Sequence, residues 1–179
     1  MLTRISLVLT FLIFILPFNS QAEETERKIS ISFGTYALSI SHADLFQSDE
    51  TLTLSGTAFS ASYAISNNIA FRGTVFSLTD DDFPDIDSSG VDIMALFGSG
   101  FTAQGFNGYL GAGIFIDSWR NSNANQNFDG IQLNGGIGYN WEALSLNLLF
   151  GLRESGEYDN QGNSFTAVVS TSFNLSVRF

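Results

Sequence analysis

The last nine residues alternate. Thr171, Phe173, Leu175, Val177 and Phe179 stand on one side of an extended chain, and Ser172, Asn174, Ser176 and Arg178 stand on the other. A period of two marks a strand with two unlike faces. The pattern recurs upstream. Leu144, Leu146, Leu148, Phe150 and Leu152 alternate with Ser145, Asn147, Leu149, Gly151 and Arg153. Ile131, Leu133, Gly135, Ile137, Tyr139 and Trp141 alternate with Gln132, Asn134, Gly136, Gly138 and Asn140. After the N-terminal leader no window sustains a helical period of 3.6. Reading the same signal backwards predicts eight strands, over Lys28–Ile40, Thr51–Ile65, Ile69–Thr79, Val91–Thr102, Gly108–Trp119, Gly130–Trp141, Leu144–Glu154 and Phe165–Phe179.

The expected connections alternate in length. Ser66-Asn67-Asn68, Ala103–Asn107 and Glu142-Ala143 form short turns, while the other four connections run to about ten residues each by this reading. The longer ones carry the acids: Asp44, Asp49 and Glu50, then Asp80, Asp81, Asp82, Asp85 and Asp87, then Asp129, then Glu157 and Asp159. Short turns at one end and long loops at the other are the plan of an antiparallel up-and-down transmembrane barrel. Pro84 falls in a connection, where an all-strand architecture tolerates it.

The N-terminus follows a different rule. Arg4 precedes the apolar run Ile5–Phe18, Pro17 lies near its end, and Ser20-Gln21-Ala22 places small residues before Glu23. A run that short, with those flanks, reads as a cleaved secretory signal peptide over residues 1–22. The mature domain is then 23–179. The 179-residue chain carries 7 Lys+Arg against 18 Asp+Glu, so removing Arg4 leaves 6 − 18 = −12. Such a balance opposes phosphate-driven nucleic-acid binding. With no cysteine, disulfide frameworks and thiolate metal sites are excluded.

Alternation alone does not say which face points outward. The polar faces consist of Ser, Asn, Gln, Gly and Thr with a few Arg, and lack the Lys/Glu density of a solvated surface. Lipid is therefore the expected partner of the large apolar residues, in preference to a soluble barrel with an apolar interior. Eight strands enclose little space, so small fillers such as Gly111, Gly113, Gly136, Gly138 and Gly151 suit the lumen. Tyr63, Phe71, Tyr109, Tyr139, Trp141 and Phe179 at the turn end, with Trp119, Phe128 and Phe165 at the loop end, are expected to form interfacial girdles.

The terminal Ser172-Phe-Asn-Leu-Ser-Val-Arg-Phe179 resembles the assembly signal of Gram-negative outer-membrane barrels, carried by Phe173, Leu175, Val177 and Phe179. Tyr63-Ala-Ile-Ser-Asn-Asn-Ile-Ala-Phe-Arg72 and Gly108-Tyr-Leu-Gly-Ala-Gly113 resemble the OmpA-like and OmpX-like small-barrel superfamily. The resemblance spans the mature chain as a pattern. It implies an integral outer-membrane location, export through the inner membrane, and contact with membrane lipids and lipopolysaccharide. It also implies barrel-assembly machinery as a partner during biogenesis. A peptidoglycan-binding domain is not expected after Phe179, and a monomer without cofactor is.

Candidate chemistry is sparse. Arg72, Asp92, Asp117, Arg153 and Arg178 fall on inward faces and are expected to pair as a charge network filling the lumen, since an isolated buried charge is costly. Asp80, Asp81, Asp82, Asp85 and Asp87 could attract a divalent cation. Asp85-x-Asp87-x-Ser89-Gly90 imitates half of an EF-hand loop, but Leu96 stands where the bidentate Glu belongs. His42, the one histidine, with Asp87 and Ser88, resembles the His/Asp/Ser set of lipid A palmitoyltransferases, with neither their amphipathic helix nor the His-x-Ser of the deacylases. The leading expectation is a non-enzymatic barrel with acidic surface loops that serves envelope integrity or surface interaction. A lipid A acyltransferase using His42 and a narrow passive channel are the alternatives.

Overall fold

The computed structural model describes residues 26–43, 50–80, 86–121, 124–156 and 165–179. The leader and the acids Asp44, Asp49, Asp81, Asp82, Asp85, Glu157 and Asp159 lie outside them. Eight antiparallel strands close on themselves in sequence order: β1 (Ile29–Ala43), β2 (Glu50–Ala64), β3 (Ile69–Asp80), β4 (Asp87–Ser99), β5 (Gly105–Asn121), β6 (Ala124–Asn140), β7 (Leu144–Arg153) and β8 (Phe165–Arg178). Closure pairs Ser30 with Arg178 at one end and Ala43 with Phe165 at the other, so neither β1 nor β8 is left as an edge. The described residues contain no helix.

Two expectations about the connections need correction. The β5–β6 link is only residues 122–123, and the β1–β2 and β3–β4 links are 44–49 and 81–86; only 154–164, between β7 and β8, has the expected length. Glu50, Asp80, Asp87 and Asp129 accordingly belong to strands. The ladder bonds are made by backbone and do not require an apolar side chain. Pairing therefore continues through Arg120↔Asn125 and Thr79↔Asp87, past the point where the hydrophobic alternation stops.

The faces sort as the period of two requires. Phe33, Leu110, Ile131, Leu133, Ile137 and Leu152 project outward at 61–71% exposure from β1, β5, β6 and β7, and Phe59, Phe71, Ile93 and Phe173 are exposed on the other four strands. An apolar belt of this extent is far larger than a water-soluble monomer carries, which excludes the soluble-barrel alternative. Glycines line the lumen where other side chains cross. A Cβ on Gly136 would meet the Tyr109 ring, and one on Gly151 would meet Ser170 and Asn134.

At the turn end, Gly100 and Gly105 adopt φ of +86° and +108°, which lets the 100–104 turn fold back toward β3. Asn67 in the neighbouring turn holds it there. Its Oδ1 accepts from the Thr102 and Ala103 amides and the Thr102 hydroxyl, and its carbonyl accepts from the Phe101 amide. Asn67→Ala is expected to cost about 1–2 kcal/mol of unfolding free energy, whereas Asn67→Asp, which keeps the acceptor, costs less. Urea titration in lipid vesicles compares the two.

Candidate functional site

The lumen of the barrel is packed in layers. Toward the loop end lies an apolar cluster of Tyr36, Leu38, Ile40, Leu54, Ala58, Phe76, Leu78, Phe115, Phe128 and Val168, with Trp119 packed against it. This corrects the expectation of small fillers alone. It also removes three aromatics from the expected girdles. Tyr109 and Phe128 are buried inside, and Trp119 meets Phe128 edge-on at 5.6 Å. The turn-end exterior keeps Tyr63, Phe71, Trp141 and Phe179, all exposed, and Tyr139 packs between Phe106, met edge-on, and Trp141, met at a tilt. The side chain of Phe165 lies outside the described residues.

Within the apolar layer sits a charge cluster assembled from four strands. Arg153 at the end of β7 donates to Asp92 Oδ1 of β4 at 2.7 Å, to Asp117 Oδ2 of β5, and to the Tyr36 hydroxyl of β1 at 2.7 Å. Tyr36 donates in turn to Asp92 Oδ2 at 2.7 Å. The guanidinium also lies over the Phe115 ring, 4.6 Å from its centroid, with Phe76 at 5.4 Å and Tyr36 at 5.8 Å. Tyr36 and Phe76 are themselves stacked. Arginine is suited to this place, because its planar cation can stack on rings while it makes directed bonds in its own plane.

The five expected lumen charges do not form one network. Asp92, Asp117 and Arg153 converge, but Arg72 and Arg178 do not join them. Arg72, nearer the turn end, donates to Ser60 and has Tyr109 beside it. Arg178 caps the turn end by donating to the Trp141 and Phe101 carbonyls. The reason is axial: Arg178 pairs with Ser30 at the start of β1, whereas Tyr36, which reaches Arg153, lies six residues further along.

The candidate catalytic set fails on geometry. Asp87 and Ser88 are consecutive in β4, so they face opposite sides of the sheet. Asp87 is exposed and accepts from Thr79, whereas Ser88 is buried in the lumen. The backbone of His42, on β1, pairs with Glu50 and Thr166, and two strands separate it from β4; its side chain lies outside the described residues. The candidate metal set divides likewise, with Asp80 buried and Asp87 outside, and with Asp81, Asp82 and Asp85 not among the described residues.

Several lumen residues escaped the sequence reading. Phe76 and Phe115 stand in phase with the polar positions Arg72, Thr74 and Asp117, a signal that was legible had the inward face not been assumed polar. Asn140 was not legible as a site residue. It donates to the Gly100 and Ala103 carbonyls and accepts from Asn107, which ties β6 to the 100–104 turn.

No protein-family model and no curated protein matches this chain. Solved structures do. Neisserial surface protein A covers 83% of this chain and 97% of its own at 16% identity, with a TM-score of 0.59. The outer membrane protein OprG from Pseudomonas aeruginosa covers 88% and 99% at 13% identity, with a TM-score of 0.53. Ail, the attachment invasion locus protein of Yersinia pestis, covers 87% and 100% at 14% identity, with a TM-score of 0.51. At these identities the likeness is one of fold: the chain is built as small eight-stranded outer-membrane barrels are.

Proposed function

We propose that a chain with this fold is an integral protein of a Gram-negative outer membrane, acting without catalysis. The observation that carries the reading is an apolar exterior wrapped around a filled lumen. The exterior suits lipid and the lumen suits neither solute passage nor substrate entry. In this reading residues 1–22 are a cleaved leader, and the mature domain, 23–179, works as a monomer among membrane lipids and lipopolysaccharide. The acidic connections serve envelope integrity or contact at the cell surface, in keeping with similar folds known as a surface protein and an attachment invasion locus protein.

Planar-bilayer recording tests the filled lumen. The refolded protein is expected to give no stable conductance steps, and stepwise conductance would establish the channel alternative. His42→Ala is expected to leave the lipid A mass profile of the expressing cell unchanged.

Phe173, Leu175, Val177 and Phe179 are proposed as the segment that the barrel-assembly machinery reads. Phe173 and Leu175 stand exposed on the outer face of β8, and Phe179, one residue beyond it, is exposed as well. Deleting Phe179 at low expression is expected to lower the folded outer-membrane fraction severalfold, as measured by heat-modifiable gel mobility. Undiminished assembly would remove that assignment.

A further inference from the structure

The cations of this acidic chain are unevenly distributed. A cavity of about 50 Å³ opens at the turn end, and Arg27, Lys28, Arg72 and Arg178 all line it. Among the described residues no carboxylate side chain lines it. Four of the 7 Lys+Arg in a chain with 18 Asp+Glu thus converge on one small space. The two outermost, Arg27 and Lys28, meet Glu142 and Glu26 on the exposed rim, at 3.5 and 3.1 Å. The two inner ones have no such partner. Among the described residues no carboxylate comes within ion-pair distance of Arg72 or Arg178, although they are only 5% and 3% exposed.

Arg72 is the more telling of the two. Its Nη2 donates to Ser60 at 3.1 Å and Tyr109 lies beside the guanidinium, but its Nε–H has no hydrogen-bond partner, and the residue lines the cavity. A buried guanidinium with an unused donor is costly unless something accepts from it. The acids of the Arg153 cluster balance its charge only at a distance and offer it no direct bond. The cavity has room for a few waters or for one tetrahedral oxyanion. Ser30, Ser62, Asn107 and Tyr109 supply neutral hydrogen-bonding groups around it.

We propose that this cavity is a phosphate-class oxyanion site, with Arg72 at its floor and Arg178 at its wall. Guanidinium groups match phosphate oxygens in geometry and bind them by charge-assisted hydrogen bonds. Two sources share this chemistry: free inorganic phosphate, and the phosphodiester of an anionic phospholipid headgroup reaching in from the adjoining leaflet. The lipid source rests on the membrane reading above; the free-phosphate source does not.

The test uses the full mature chain with 15N-labelled arginine, refolded in an uncharged detergent and then in nanodiscs. Inorganic phosphate titrated into the detergent sample is expected to shift the Arg72 and Arg178 Nε–Hε resonances saturably, with Arg120 unmoved. Equal shifts with sodium chloride at matched ionic strength would overturn the site. Nanodiscs containing phosphatidylglycerol, compared with discs of an uncharged, phosphate-free glycolipid, then separate the sources. The same two resonances shifting without added phosphate identifies the headgroup, and competition by phosphate confirms one shared site. Arg72→Gln is expected to weaken phosphate binding by about tenfold or more, and Arg120→Gln to leave it unchanged. Should the Arg72 variant fail to fold, Arg178→Gln provides the same comparison. Absence of saturable shifts both with phosphate and in phosphatidylglycerol discs would refute the proposal, while leaving the membrane reading untouched.

Discussion

Arg153→Met is expected to destabilise the barrel by about 3–5 kcal/mol, the usual cost of removing one partner from a buried ion pair. Methionine keeps much of the side-chain volume, so the loss reports mainly the charge. What remains behind is worse than a cavity: Asp92 and Asp117 are 2% and 0% exposed and lose the cation between them. Tyr36 still donates to Asp92, but it cannot reach both carboxylates as a cation does. The triple variant Arg153→Met, Asp92→Asn, Asp117→Asn separates the two contributions. It is expected to recover a large part of the loss, because neutral amides remove the uncompensated charge. Reversible urea unfolding in lipid vesicles measures both. If the single variant is no less stable than the triple, the cluster does not hold the lumen closed through its charges.

Leu148→Arg against Asn147→Ser is the second comparison with a large expected effect. Leu148 lies on the outer face of β7, paired with Phe173 of β8 and Ile137 of β6, which are both exposed. A cation there stands in hydrocarbon, at a cost of roughly 2–4 kcal/mol near the bilayer centre. Asn147 points into the lumen, where its Nδ2 donates to Ser145. Its replacement by serine is expected to cost about 1 kcal/mol or less, the worth of one modest hydrogen bond. The two positions share a strand and a depth, so the difference isolates the facing. An equal cost at both would mean that the outer surface of β7 does not meet lipid.

The strand number, the order of pairing and the facing of β7 and β8 were legible in the sequence. Leu146, Leu148 and Phe150 cannot exchange faces with Asn147, Leu149 and Gly151 without moving every second side chain. The inward glycines were legible too, since a narrow barrel leaves space for little else where Tyr109 or Asn134 crosses. The strand ends carried less information. Asp87, Ser89, Asn125 and Asn127 read as loop, and tertiary pairing made them strand, because backbone hydrogen bonds do not depend on hydrophobicity.

The lumen was the part that sequence could not order. On β3 the inward face runs Arg72, Thr74, Phe76, Leu78, Asp80, and the outward face runs Phe71, Gly73, Val75, Ser77, Thr79. Both mix apolar with polar, so period alone names two faces without saying what each must meet. Which charges pair was equally hidden. Arg153, Asp92, Asp117 and Tyr36 come from β7, β4, β5 and β1, and nothing local in any of these strands relates them. Alternation is a property of one strand and survives in one dimension. Partnership across a lumen is set by closure and by the stagger of eight strands around it, which together decide the depth at which each inward side chain sits. That depth brings Arg153 to its two carboxylates and leaves Arg72 and Arg178 at the cavity.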